Sequence, residues 1–189
     1  MRWSYSSRAW IGFLAALPNG VLLCRHELTW RLTPPEVAAE EIKAKLAEWK
    51  IPRLASVIGN PQIFPTGKER GRTDAEMFQR AGLPLRRGSG DRLNAWASVR
   101  SWLATRTRAD GTKGPMLLIH PDCKFLLRTL PTLVSNPTSP DDVHETTDEY
   151  PALGLALCLM ARPAPSVKPE IVLPEGAIGH WVNELRHAR

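Results

Sequence analysis

Carboxylates are the first residues whose types and spacing could do chemistry. Asp148 and Glu149 stand side by side where an apolar segment begins, shortly after Asp141, Asp142 and Glu145. Hard divalent cations take oxygen ligands, so adjacent carboxylates could hold one. The same pair at a helix start would also be favoured by the helix dipole as a cap. Both readings stand on the sequence alone. His144, between Asp142 and Glu145, could join an adventitious metal site or lie in a solvated loop. Upstream, Asn60-Pro61 follows a short apolar run; its amide oxygen can ligate a cation but brings no charge.

The other chemical resource is positive charge. Residues 68–108 hold ten Lys or Arg against four Asp or Glu, in a chain of net charge +6. Lys68, Arg70, Arg72, Arg86, Arg87 and Arg92 are candidates for contacting a phosphate backbone. Glycine-flanked guanidinium groups can approach phosphates closely. A merely solubilising surface would carry the same residues. Cys24, Cys123 and Cys158 form no CxxC pair, which argues against a zinc site or a disulfide framework and for buried thiols in a reducing compartment. No GxxxxGK[ST] phosphate loop occurs, so these residues alone cannot drive an ATP motor.

These groups need a scaffold, and the patterning predicts an α/β one. Ala9–Leu17 and Val21–Glu27 flank Pro18-Asn19-Gly20 as a β-hairpin would. That turn also breaks the N-terminal resemblance to a secretory signal, and no run reaches membrane-spanning length. Thr33-Pro34-Pro35-Glu36 predicts a capped helix to about Trp49, with Val37, Ile42, Leu46 and Trp49 on its apolar face. A buried strand over Leu54–Ile58 should follow, then a capped helix from Thr73 closed by Gly82. Further on, the pattern predicts a strand at Leu83–Leu85 and a basic turn at residues 86–90. A helix from Asp91 to Thr105 would carry Leu93, Trp96, Val99, Trp102 and Leu103 on its stripe. The remaining expectations are a strand at Met116–Ile119, a helix over Lys124–Leu133, an acidic loop over Pro137–Thr147 and a helix at Tyr150–Met160. Residues 1–161 would form one domain. A Pro-rich tail over 162–189 would follow, with a short helix near Ala177–His187.

In this order, several stretches resemble the nuclease domain of bacteriophage terminase large subunits. They are Arg25-His26-Glu27, Leu32-Thr33-Pro34-Pro35-Glu36-Val37-Ala38, Gly59-Asn60-Pro61 and Phe78-x-x-Ala81-Gly82-Leu83-Pro84-Leu85. Asp91-Arg92-Leu93-Asn94-Ala95-Trp96, Ile119-His120-Pro121-x-Cys123, Leu127-Arg128-Thr129-Leu130-Pro131 and Asp141-Asp142-Val143 complete the set. No single piece is specific; the order and spacing over about residues 3 to 160 are.

The resemblance implies an RNase H-like fold, a mixed sheet flanked by helices, with its first strand truncated here. It implies two Mg²⁺ or Mn²⁺ ions held by acids on the first strand, at the end of a central strand and at a late helix start. Arg2 stands where the first acid belongs and Asn60 where the second does. Asp148 and Glu149 can serve at the third, although Tyr150 and Leu153 replace a His and an inner Asp. One charge reversal ~4 Å from a dication is worth about 4 kcal/mol per unit interaction at an effective dielectric of ~20. The expectation is a degenerate domain with Asn60, Asp148 and Glu149 as the remaining site. Its partners would be double-stranded DNA, a terminase ATPase or a portal-type protein in the host cytoplasm, and it would cleave little or no DNA. The alternatives are an active nuclease whose missing acid comes from elsewhere, Glu27 for example, and a structural phage protein with no nucleic-acid role.

Overall fold

A computed structural model describes residues 1–4, 8–64, 73–144 and 150–162. Its first two strands are the expected hairpin, β1 (Ala9–Ala16) antiparallel to β2 (Leu22–Trp30). The turn closes through Leu17 N–H to the Val21 carbonyl at 2.8 Å. Gly20 sits there at φ 85°, a conformation that favours glycine. Side chains along β1 alternate as a strand requires. Trp10 and Leu14 enter one core, and Ile11 and Phe13 enter another on the opposite face.

Two parallel pairings extend the sheet. β7 (Leu117–Ile119) runs beside β2, while β3 (Val57–Gly59) pairs with β4 (Leu85–Arg87). Residues 1–3 join the two halves. Arg2 exchanges both main-chain hydrogen bonds with Trp10 at 2.8 Å, the antiparallel pattern. On the other side the Met1 amino group donates to the Ile58 carbonyl at 2.6 Å, and Asn60 N–H donates to the Met1 carbonyl at 3.1 Å. The sheet therefore reads β7-β2-β1-(residues 1–3)-β3-β4, a mixed sheet with a very short central strand.

Helices cover both faces. α1 (Pro35–Glu48) and α2 (Asp74–Arg80) bury Ala38, Ala39, Ile42 and Phe78 against Ile11, Phe13 and Leu85. α3 (Arg92–Leu103), α4 (Lys124–Thr129) and α5 (Tyr150–Met160) bury Trp96, Trp102, Leu126, Leu155 and Leu159 against Trp10, Leu22 and Leu117. Each fully buried Leu or Phe contributes about 1.5–3 kcal/mol. Cys24 and Cys123 lie in the second core as free thiols with Sγ atoms 3.9 Å apart. The Cys123 contact and burial push the Cys24 thiol up.

α5 occupies the span expected of it, and α2 opens on a full capping box between Thr73 and Glu76. Elsewhere the expectations need correction. Leu32, at φ 47°, turns the chain so that the Thr33 hydroxyl donates back to the Arg31 carbonyl, and Pro34 takes the cap position of α1 without a side-chain bond. Val37, Leu93 and Leu103 are exposed: α1 buries Ala38, Ala39 and Ile42 instead, and α3 buries Ala95, Trp96, Val99 and Trp102 on the side that faces α5. The acidic loop begins as a hairpin, β8 (Ser135–Asn136) with β9 (Ser139–Val143). A second unforeseen hairpin joins β5 (Thr105–Thr107) to β6 (Lys113–Pro115). Arg86 and Arg87 belong to β4 itself rather than to a turn. No helix among the described residues is long and apolar enough to cross a membrane. The expected tail beyond Arg162 lies outside the described residues.

Candidate functional site

The junction at residues 1–3 brings Arg2 and Asn60 to neighbouring positions. Asn60 is 2% exposed, and its side-chain oxygen accepts the Trp3 N–H at 2.8 Å. Its amide NH₂ faces Gln62 Oε1 at 3.5 Å. Asn60 thus clasps the end of the opening strand to the end of β3. An uncharged amide suits that burial, because an ionised carboxylate there would have to be desolvated without a compensating cation. Arg2 is half-buried, donates to the Trp3 carbonyl at 3.3 Å, and has its main-chain N under α5. A Cβ on Gly154 would stand 3.3 Å from that nitrogen and 2.6 Å from the Trp10 indole, so only glycine lets the helix seat here.

Asp148 and Glu149 lie outside the described residues, as do Lys68, Arg70 and Arg72. Among the described residues no three His, Cys, Asp or Glu side chains gather in a way that could hold a metal ion. The described part of the expected metal site is therefore one cation and one amide whose oxygen is already bonded. Neither fits a pair of divalent ions.

Glu27 has a different employment. Its carboxylate accepts Trp10 Nε1–H at 2.8 Å, Phe125 N–H at 2.6 Å and Leu126 N–H at 3.2 Å. It therefore caps the start of α4 and anchors the one polar atom of a buried tryptophan. Nothing local in the sequence marks this, since the donors lie 17, 98 and 99 residues away.

The basic candidates separate into two kinds. Arg92 is committed inside the fold: Nε meets Asp142 at 2.7 Å, Nη2 donates to the Val143 carbonyl at 2.9 Å, and the guanidinium lies 5.7 Å from the Trp96 ring. Burial opposes ionisation of Asp142, but the Val143 N–H and the Arg92 guanidinium outweigh it and hold this carboxyl below the usual range. Arg86 and Arg87 are exposed at the end of β4. They border a cleft of about 990 Å³ that also reaches Arg25, Arg53 and Arg162, three arginines the sequence did not single out. Cys158, expected in the core, is half-buried on the wall of this cleft. His26 stacks flat on Trp49 at its edge, ring centroids 4.0 Å apart. Burial, then the Arg25 charge, lowers the His26 pKa.

Searches of protein-family profiles and of curated proteins give no match. Solved structures do. The large terminase of a thermophilic bacteriophage superposes with a TM-score of 0.64 at 12% identity, over 85% of this chain and 38% of that one. The same terminase in complex with ATP-gamma-S gives 0.55 at 14% identity, over 83% and 37%. The chain thus spans well under half the length of the terminase it resembles, and at these identities the likeness establishes a shared fold, a mixed sheet between helices in an RNase H-like arrangement.

Proposed function

We propose that this chain is a terminase nuclease-like domain of a phage DNA-packaging system that acts by binding rather than by cutting. The observation carrying this reading is the pairing of Arg2 with a buried, already bonded Asn60 where two metal-holding acids would be required. Of the three positions at which the resemblance expects metal-holding acids, Asp148 and Glu149 at the third would carry the negative charge, too little for two adjacent dications. Arg86 and Arg87 are exposed, at the open end of β4, and suit a phosphate backbone or an acidic packaging partner such as a motor or portal-type protein.

The test is plasmid cleavage in Mn²⁺, with titration calorimetry alongside. The expected result is no cutting and no stoichiometric Mn²⁺ binding. Robust cutting that Glu149→Ala abolishes would overturn the reading. DNA binding is measured separately by gel shift. Affinity should fall with added salt as counterions are released, and further in Arg86→Ala/Arg87→Ala.

A further inference from the structure

We infer that Cys24 and Cys123 are an oxidation site, a thiol pair that a peroxide closes into a disulfide clip between β2 and the start of α4. The inference goes beyond the binding-module reading and does not rest on it.

Position comes first. Cys24 pairs with Ile119 across the parallel β2–β7 ladder, and its carbonyl accepts the His120 N–H at 2.9 Å. The chain then turns, with Cys123 N–H donating back to the His120 carbonyl at 2.9 Å. That turn sets Cys123 Sγ 3.4 Å from the Cys24 carbonyl oxygen and 3.9 Å from Cys24 Sγ. Three residues further along β2, Glu27 holds the Phe125 and Leu126 N–H groups. The two segments are therefore pinned together on both sides of the sulfurs. A disulfide needs its sulfurs at about 2.05 Å, so the closure is roughly 1.9 Å, shared between two side chains. A cross-link that repeats an existing contact distorts the native state little, whereas one that forces new geometry stores strain.

The two thiols take different parts in the reaction. The Cys24 contact lowers the Cys123 pKa, while the Cys123 contact and burial raise that of Cys24. Thiolate accordingly forms on Cys123, and Cys24 keeps its proton. Arg25 supports that thiolate, whereas burial, Glu27 and Asp122 oppose it, so the reaction calls for excess peroxide. The Cys123 thiolate attacks one oxygen of hydrogen peroxide and the O–O bond breaks. Cys123 becomes a sulfenic acid, and the departing hydroxide takes up the proton Cys123 released and leaves as water. Cys24 Sγ then attacks the sulfenic sulfur, the S–O bond breaks, and the hydroxyl leaves with the Cys24 proton as a second water. Two thiols and one peroxide thus give one disulfide and two waters. Both side chains are fully buried, but Asp122 and Lys124 on either side of Cys123 are exposed, so a small neutral oxidant has only this turn to cross. Half-buried Cys158 is the internal reference.

The experiment treats the full chain with excess hydrogen peroxide, alkylates the remaining thiols, digests, and reads the peptides by mass spectrometry without reduction. A linked Cys24–Cys123 peptide pair is expected, lighter than its parts by two hydrogens and abolished by dithiothreitol. Cys24 and Cys123 are 99 residues apart, so the clip restricts the unfolded chain strongly. Oxidation of the Cys158→Ser chain should therefore raise Tm by about 5 °C or more, reversibly in dithiothreitol. Amide exchange over α4 should slow at least fivefold. Cys24→Ser in the same background should lose all three effects; should that variant fail to fold, the oxidised and reduced forms of one chain make the same comparison. Four results would each overturn the inference. They are oxidation of Cys158 with no Cys24–Cys123 link, a link that forms only in urea, preferential linkage of either residue to Cys158, and a lower Tm in the oxidised chain.

Discussion

Replacing Glu27 by alanine separates a structural carboxylate from a catalytic one. In the wild type this side chain satisfies the Trp10 indole and two main-chain N–H groups at the start of α4. Trp10 is 1% exposed, so its orphaned N–H could not turn to water. An unmet buried donor costs about 1–3 kcal/mol. Loss of a helix-capping acceptor adds about 1 kcal/mol. The expected destabilisation is therefore about 3 kcal/mol, which lowers Tm by roughly 6–12 °C in a chain of this size. Glu27→Gln keeps one oxygen in place and should lose less than half as much. Urea unfolding followed by tryptophan fluorescence measures both variants. A Glu27→Ala protein within about 0.5 kcal/mol of wild type, on the scale expected for surface substitutions, would refute the capping role. A Glu27→Gln protein that kept its stability yet lost Mn²⁺-dependent DNA cutting would show instead that Glu27 is the missing metal acid.

Gly154→Ala should destabilise by about 1–3 kcal/mol through overpacking, because the new methyl meets the Trp10 ring and the Arg2 nitrogen; thermal unfolding checks it, and an unchanged Tm would mean α5 shifts freely. The Asp142–Arg92 pair fastens β9 to α3, and the folded Asp142 pKa lies below its ordinary value. Its stabilisation is accordingly complete above the unfolded carboxyl pKa of about 3.9 and is lost as pH falls through the lowered folded value. Asp142→Asn should flatten the acid limb of the stability profile, and an identical limb would discount the pair. His26 has the opposite linkage: its folded pKa is lowered by burial and by Arg25, so the unfolded chain binds the extra proton. Its contribution grows as pH rises from the folded value through about 6.5, and a proton-detected NMR titration giving a pKa above that for His26 would contradict the stacked, partly desolvated ring.

Much of the scaffold is legible in the chain because its signals are local. Pro18-Asn19-Gly20 fixes the first hairpin, Thr73 to Glu76 builds a capping box, and residues 150–160 form a helix over the span their composition suggests. The β8–β9 hairpin was hidden because its strands are short, polar and held by Arg92 and Arg100 from α3, fifty and forty-one residues away. Apolar stripes misled for a related reason. A helix face is chosen by what it packs against, and the side of α1 that joins the core with α2 carries Ala38 and Ala39, so these were buried while Val37 was left in solvent. At the candidate site, the identities of Arg2 and Asn60 were readable, but their connection through Trp3 was not. Neither was the cleft, whose walls come from separate segments and whose lining adds Arg25, Arg53 and Arg162, far apart in sequence, to Arg86 and Arg87.

On the proposed reading, Arg2 and Asn60 at the junction are mutually consistent in a way that replacement of one acid alone would not be. Two carboxylates buried side by side at strand ends repel unless dications sit between them, so a fold that lacks the ions does better without the charges. With Asn60, the end of β3 gains a neutral acceptor for Trp3 N–H and the opening strand is held by hydrogen bonds alone. Arg2 then adds positive charge to a region whose neighbouring cleft already presents five arginines. A dication approaching from that side meets repulsion, whereas a carboxylate or phosphate meets attraction. The proposed reading is thus a sheet of this fold whose junction favours anions over dications. Placing acids at both positions at once, as Arg2→Asp/Asn60→Asp, should therefore cost stability in chelator, and Mn²⁺ should restore part of it by binding the folded state. A double variant as stable in chelator as the wild type would show that the junction tolerates unpaired carboxylates, and the charge argument for a non-cleaving domain would fail.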